Sequence, residues 1–105
     1  MVVTWAGGGN VAPMAVLAGG LVARGHEVAV VAPDALHPRF EAIGARPFAS
    51  PEGWLATDAE VTEAVDLFEP DALVIDYMLT EALCGAEGTE VPTAALVHTL
   101  YSTAA

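Results

Sequence analysis

The chain has 105 residues, a length that predicts one domain with a single modest core. Hydrophobic residues make up 54% and charged residues 16%, which argues against disorder and suits a parallel sheet buried on both faces. The net charge of −11, with three arginines and no lysine, disfavours binding to nucleic acid and to anionic membranes.

The first elements in chain order are a strand, a glycine turn and a helix. An apolar run, Met1 to Trp5, leads into the consecutive glycines 7–9. A helical pattern follows from about Val11 to Arg24 and stops at Gly25, a residue favoured just after a helix end. This arrangement is typical of the start of a nucleotide- or sugar-handling α/β domain. The apolar stripe of the helix consists of Met14, Leu17, Ala18 and Leu21.

The rest of the chain alternates between strands and helices. The predicted strands are Glu27 to Ala32, Arg46 to Ala49, Ala72 to Ile75 and Thr93 to Val97. The predicted helices are a short irregular piece from Leu36 to Ile43, a helix opened by a capping box at Thr57 and Glu60, and a helix from Leu79 to Glu87 that ends at Gly88. We therefore expect an α/β, Rossmann-like three-layer domain with a five-stranded parallel sheet in the order 3-2-1-4-5.

Polar residues follow three of the predicted strands, where ligands bind in such sheets. Asn10 either caps the first helix or forms a hydrogen bond with a ligand hydroxyl, and an amide cannot serve as a base. Asp76 either caps the next helix or loop, or it orients a base or acts as one. His98 is either a hydrogen-bonded histidine at a strand end, or a general base or ligand contact.

Other residues with reactive or large side chains favour ordinary structural roles. We expect His26 to be structural, His37 to be solvated in a loop and Cys84 to be a small core residue. Trp54 and Met78 either line an apolar pocket or pack. One cysteine excludes an intrachain disulfide, which fits a cytoplasmic protein, and neither a signal peptide nor a membrane span is predicted. No ligand spacing predicts a metal site.

A dinucleotide-binding module is the alternative interpretation of the turn. Gly7, Gly9 and Ala12 satisfy the loose form of the Gly-x-Gly-x-x-Gly fingerprint, and Asp34 follows the second strand, where a ribose-binding acid would lie.

Four segments together carry a family resemblance: Gly-Gly-Gly-Asn-Val-Ala-Pro-Met at 7–14, Leu-Val-Ala-Arg-Gly-His-Glu-Val at 21–28, Leu-Val-Ile-Asp-Tyr-Met-Leu at 73–79, and Val-Pro-Thr-Ala-Ala-Leu-Val-His-Thr-Leu-Tyr at 91–101. The chain resembles the N-terminal, acceptor-binding half of GT-B glycosyltransferases of the UDP-glycosyltransferase and macrolide-glycosyltransferase type, in the bacterial natural-product or antibiotic-biosynthesis branch. The resemblance implies an inverting transfer of a hexosyl or deoxysugar group from a nucleotide sugar to a hydroxyl of a small hydrophobic acceptor, with no cofactor and no metal.

The resemblance also implies roles for particular residues. Many family members carry a catalytic histidine where this chain has Asn10, and an aspartate that orients it where this chain has Asp76. Because the histidine is absent, Asp76 and His98 become the candidate catalytic residues. The substrate-binding candidates are Gly8, Gly9, Asn10, Pro13 and Met78.

The family's donor-binding domain has no counterpart in residues 1–105, which we interpret as one truncated N-terminal GT-B-like domain. The chain is then a piece of an enzyme, a truncated gene product or half of a split enzyme, and it should be inactive alone. Binding of a nucleotide sugar would need a donor domain or a partner chain. A non-catalytic partner of a separate transferase, and homo- or hetero-oligomer formation, stay open.

Overall fold

A five-stranded parallel sheet forms the centre of the molecule. The computed structural model describes residues 1–49 and 55–98. The strands are β1 (Val2–Val3), β2 (Ala29–Ala32), β3 (Arg46–Ala49), β4 (Leu73–Asp76) and β5 (Thr93–Leu96). Their order is β3-β2-β1-β4-β5, and every neighbouring pair is parallel. The predicted α/β class and strand order are therefore confirmed.

In the described part of the chain, four helices cover the two faces of this sheet. They are α1 (Val11–Ala23), α2 (His37–Glu41), α3 (Asp58–Phe68) and α4 (Thr80–Thr89), with a short 3₁₀ turn at Asp34–Leu36. Met14 and Ala18 of α1 and Phe40 of α2 pack with Val2 and Val30 in one core. The second core, on the opposite face, is formed by α3 and α4 with the sheet, and its buried members include Val3, Val31, Val61, Ile75 and Ala82.

The alternation of side chains along the strands explains why both cores are apolar. Successive side chains of a strand point to opposite faces, so Val2 and Val3 enter different cores. A strand that is buried on both faces has no face in contact with solvent, so its sequence lacks the alternating polar residues of a strand buried on one face. The continuous apolar runs in the sequence therefore have a direct structural cause.

Several predicted helix ends are confirmed. Gly25 follows α1 with a φ of 89°, a left-handed conformation that favours glycine. The hydroxyl of Thr57 accepts a hydrogen bond from the Glu60 amide at 3.2 Å, and the Glu60 carboxylate accepts one from the Thr57 amide at 3.1 Å. This is the predicted capping box, and it satisfies two amides at the start of α3.

The structure corrects two predictions about α4. The helix does not end at Gly88 but continues to Thr89, and Glu90 closes it with a left-handed φ of 61°. Cys84 is exposed rather than in the core. Both errors arise because α4 is built largely from small residues, which mark neither a strong apolar stripe nor a clear end. Trp54 lies outside the described residues.

The helices of the described residues give no candidate for a membrane span. In residues 1–49 and 55–98, none is both long enough and apolar enough to cross a bilayer.

A glycine brings α4 into close contact with the start of α3. A Cβ atom at Gly85 would lie 2.8 Å from both the Cα and the carbonyl oxygen of Asp58. Backbone atoms cannot move aside as a flexible side chain can. Gly85 therefore permits the close approach of these two helices.

We expect Gly85→Ala to lower the free energy of unfolding by roughly 1–3 kcal/mol, because the added methyl forces the helices apart. Gly88→Ala is the matched control, since a Cβ at Gly88 meets no atom within 4 Å. It should raise stability by up to about 1 kcal/mol through helix propensity. Urea unfolding followed by circular dichroism measures both, and equal effects of the two substitutions would refute the steric explanation.

Candidate functional site

The candidate residues meet at the carboxyl edge of the sheet, on the face covered by α1. Val3 of β1 lies opposite Ile75 of β4, so Thr4 and Asp76 follow at the same level on neighbouring strands. Asp76 in turn lies opposite Leu96 of β5, two residues before His98. Asp76 is the last residue of β4, not the residue after it as predicted. β1 lies between β2 and β4, which is the switch point where such sheets bind ligands.

The glycine turn leaves open space above the start of α1. Gly8 has a φ of 95°, which an L-residue with a side chain rarely adopts. A Cβ at Gly8 or Gly9 would meet nothing within 4 Å, and both residues are exposed. A Cβ at Gly7 would instead lie 2.5 Å from the Trp5 ring. Gly7 thus accommodates packing within the turn, whereas Gly8 and Gly9 border free space.

Asn10 holds the turn together from inside. It is 2% exposed, and its Oδ1 accepts a hydrogen bond from the Gly7 amide at 3.0 Å. Its Nδ2 donates to the hydroxyl of Thr4 at 3.2 Å and to the carbonyl of Trp5 at 2.7 Å. The prediction that the Asn10 side chain caps α1 is wrong, because it makes no hydrogen bond to the helix amides and reaches back towards β1 instead. The two amide hydrogens are both used within the turn.

Asp76 and His98 form a buried pair. Asp76 is fully buried, and its Oδ2 lies 2.9 Å from Nε2 of His98, whose side chain is 10% exposed. The other oxygen, Oδ1, accepts a hydrogen bond from the Met78 amide at 3.0 Å. The carboxylate therefore has one partner in the loop after β4 and one after β5.

The orientation of this pair determines which histidine nitrogen can accept a proton. The distance between Asp76 Oδ2 and His98 Nε2 is short, but the angle falls outside that of a well-formed hydrogen bond, and neither atom has another partner among the described residues. A small rotation of the His98 ring aligns its N–H with the Asp76 oxygen. A carboxylate at Nε2 favours the proton on that nitrogen and leaves Nδ1 as the basic one.

Two neighbours of the site were not singled out in the sequence. Thr4 is 1% exposed, and its hydroxyl accepts a hydrogen bond from Asn10. In the sequence, Thr4 could have been recognised as a polar residue at the end of an apolar run, just before the turn. The centroids of the Tyr77 and His98 rings lie 5.1 Å apart, and the two ring planes are inclined by 60°. Its amide donates to the Leu96 carbonyl at 3.1 Å, which joins the ends of β4 and β5.

The remaining site candidates lie around this edge. Pro13 is in the first turn of α1 and is partly buried, and Met78 is 51% exposed. Their contacts with a ligand stay predictions.

The other histidines lie away from the pair. His26 is exposed beyond the end of α1. His37 is not solvated in a loop, because it begins α2 and its Nε2 lies 2.9 Å from the Ala32 carbonyl. Across residues 1–49 and 55–98, no cluster of three or more histidine, cysteine or carboxylate side chains could hold a metal ion.

The structure gives little support to the dinucleotide-binding interpretation of the turn. Its third position allows a helix to pack closely on the sheet, yet Ala12 is exposed. The presence of glycine at position 7 is explained by the Trp5 ring, which leaves no room for a Cβ atom there. Asp34 does lie just beyond β2 with its side chain 86% exposed, as a ribose-binding acid would.

Comparison with known protein families and with curated protein sequences finds no match for this chain.

We expect Asn10→Asp to destabilise the protein by roughly 1–3 kcal/mol at neutral pH, because it buries a negative charge and turns an oxygen towards the Trp5 carbonyl. The cost should shrink in acid, where the carboxyl group is protonated and can donate again. Thr62→Ala is the control, since it removes an exposed hydrogen bond to the Asp58 carbonyl and should change stability by under about 0.5 kcal/mol. Chemical unfolding at two pH values tests this, and a pH-independent cost would contradict it.

Proposed function

We propose that the chain is the acceptor-binding part of an inverting glycosyltransferase that modifies a hydroxyl of a small hydrophobic natural product. The observation that carries this proposal is the buried Asp76–His98 pair, 2.9 Å apart, at the same sheet edge as the open glycine turn. The four sequence segments that resemble this family support it. A donor-binding domain or partner chain holds the nucleotide sugar.

In this proposal His98 is the general base and Asp76 is the positioning residue. Asp76 is fully buried, and both of its oxygens face other protein groups, so an acceptor hydroxyl cannot reach it. The His98 side chain retains 10% exposure and one nitrogen, Nδ1, that the carboxylate does not face. The histidine is therefore the group of the pair that is accessible to a substrate.

The chemical step is a direct displacement. The acceptor hydroxyl gives its proton to Nδ1 of His98, and Asp76 stabilises the resulting imidazolium. The acceptor oxygen forms a bond to the anomeric carbon from the face opposite the leaving group. The bond from that carbon to the nucleotide phosphate breaks, and the nucleotide leaves with the electron pair.

The glycine turn supplies the surface on which the acceptor or sugar rests. Gly8 and Gly9 border open space, and Asn10 fixes the turn from below through its three hydrogen bonds. Pro13 and the exposed side chain of Met78 complete this surface in the proposal. The single cysteine is compatible with a cytoplasmic location.

Mutation of the pair tests the assignment of roles. The chain is combined with a donor-binding chain of a related transferase, a nucleotide sugar and a panel of hydrophobic alcohols. We expect His98→Gln to slow transfer by roughly 10²–10⁴-fold, the usual contribution of a general base. Asp76→Asn should slow it by about tenfold or more, because the wrong tautomer becomes favoured. His26→Gln, on an exposed histidine outside the site, should leave the rate unchanged.

Two results would overturn these assignments. Transfer that persists unchanged in both His98→Gln and Asp76→Asn would remove the pair from the mechanism. Tight binding of NAD(H) or NADP(H) to the chain, with no binding of hydrophobic alcohols, would favour the dinucleotide-binding interpretation instead.

Substitution of Gly9 tests the acceptor surface without the donor. Gly9→Ala should leave the melting temperature unchanged, since the methyl enters open space, but it should weaken binding of a hydrophobic alcohol several-fold by occupying that space. Gly88→Ala adds the same methyl on α4 and should not affect binding. Calorimetric titration of the chain alone measures both, and equal affinities in the two variants would argue against an acceptor at the turn.

A further inference from the structure

Asp76 and Tyr77 are neighbours in the sequence, and both contact the same histidine. In an extended strand, the side chains of adjacent residues point to opposite faces of the sheet. β4 ends at Asp76, however, and the chain then turns, since the Leu79 amide donates to the Asp76 carbonyl at 3.0 Å. After this turn the centroid of the Tyr77 ring lies 5.1 Å from that of His98, while Asp76 Oδ2 lies 2.9 Å from His98 Nε2. One short segment therefore supplies both a carboxylate and an aromatic ring to His98.

The backbone of Tyr77 is held on both sides. Its own amide donates to the Leu96 carbonyl at 3.1 Å, which joins it to the end of β5. The next amide, that of Met78, donates to Oδ1 of Asp76 at 3.0 Å. Tyr77 is partly buried, and a tyrosine side chain has only two torsions about which its ring can move. The Tyr77 ring is therefore a rigid surface beside the histidine.

The His98 ring needs such a surface, because its contact with Asp76 leaves its rotation weakly determined. The torsion that turns a histidine ring about its Cβ–Cγ bond is broad, without the sharp minima of an aliphatic side chain. Half a turn about this bond would put a carbon of the ring in the place of Nε2. The angle at the Asp76 contact falls outside that of a well-formed hydrogen bond. The carboxylate alone therefore holds the ring less firmly than an aligned hydrogen bond would.

We propose that Tyr77 is a positioning residue for His98, which it holds with Nε2 towards Asp76 and with Nδ1 as the basic nitrogen. Centroids about 4.5–7 Å apart are typical of attractive aromatic pairs, and rotation of the imidazole would disrupt this contact. The proton then stays on Nε2, beside the carboxylate. The consequence for sugar transfer rests on the proposed function, whereas the tautomer follows from contacts within the chain.

The tautomer of His98 tests this role in the chain alone. Long-range ¹H–¹⁵N NMR of the neutral ring distinguishes a protonated nitrogen from an unprotonated one. We expect the wild type to carry the proton mainly on Nε2, and Tyr77→Leu to shift the ratio of tautomers several-fold towards Nδ1. Tyr77→Phe retains the ring and should restore the wild-type ratio. Phe68→Leu is the matched control, since it removes one ring of a different aromatic pair, with Phe48 at 6.2 Å, and should leave the ratio unchanged.

The possible results separate the role of Tyr77 from that of the pair. Should Tyr77→Leu fail to fold, Tyr77→Met gives the same test with a flexible side chain that adapts to its surroundings. An unchanged ratio of tautomers in a folded variant would overturn the role of Tyr77 alone. A wild-type proton on Nδ1 would overturn both this role and the orientation of the Asp76–His98 pair that the proposed function uses.

Transfer by the chain combined with a donor-binding chain tests the consequence for the reaction. Tyr77→Leu should lower kcat by about three- to tenfold and change the KM of the acceptor less, because the ring orients the base and does not bind substrate. In a His98→Gln background the same substitution should have no further effect, since both changes act through one side chain. An equal loss in both backgrounds, or a loss confined to KM, would place Tyr77 against the acceptor and refute the positioning role. Absence of transfer by the wild type would count against the proposed function, and the tautomer would still decide the role of Tyr77.

Discussion

A carboxylate with no exposure to solvent is the constraint around which the candidate site is arranged. Asp76 must have a partner for each oxygen, because an uncompensated buried charge costs far more than a single hydrogen bond gains. The Met78 amide meets one oxygen and His98 meets the other. The loop after β4 and the segment after β5 are thereby bound to a common point. The contact that satisfies the Asp76 carboxylate also orients the His98 ring.

The glycine turn depends on a comparable arrangement on the adjacent strand. Asn10 lies inside the turn and forms hydrogen bonds with groups of Thr4, Trp5 and Gly7. Its side chain therefore fixes the conformation of the backbone rather than the position of a substrate. Where the glycosyltransferases that the sequence resembles keep a catalytic histidine, this chain has an asparagine whose amide is used within the turn. In the proposed mechanism, the base is therefore supplied from the other side of Asp76. The aspartate would retain its role of orienting a histidine, but that histidine follows β5 instead of the turn.

The sequence was sufficient to predict the layers and the strand order, because strands buried on both faces leave continuous apolar runs and parallel connections have one favoured hand. It also placed Asn10, Asp76 and His98 at one edge. It could not show which of them touch. Asparagine is favoured both as a helix cap and as a bridge within a turn, so the direction of the Asn10 side chain was open. The contact between His98 and Asp76 depends on the path of the backbone after β5, which local sequence patterns do not encode. The small residues of α4 concealed the exposure of Cys84 and the true helix end for a similar reason.

The acidic character of the chain limits how a ligand can be held at the glycine turn. With three arginines and no lysine, little positive charge is available to hold a phosphate. A diphosphate at the glycine turn would rely on backbone amides and the dipole of α1. A protein with this surface should repel anions over most of its area. A neutral acceptor at the glycine turn, as in the proposed function, avoids that repulsion.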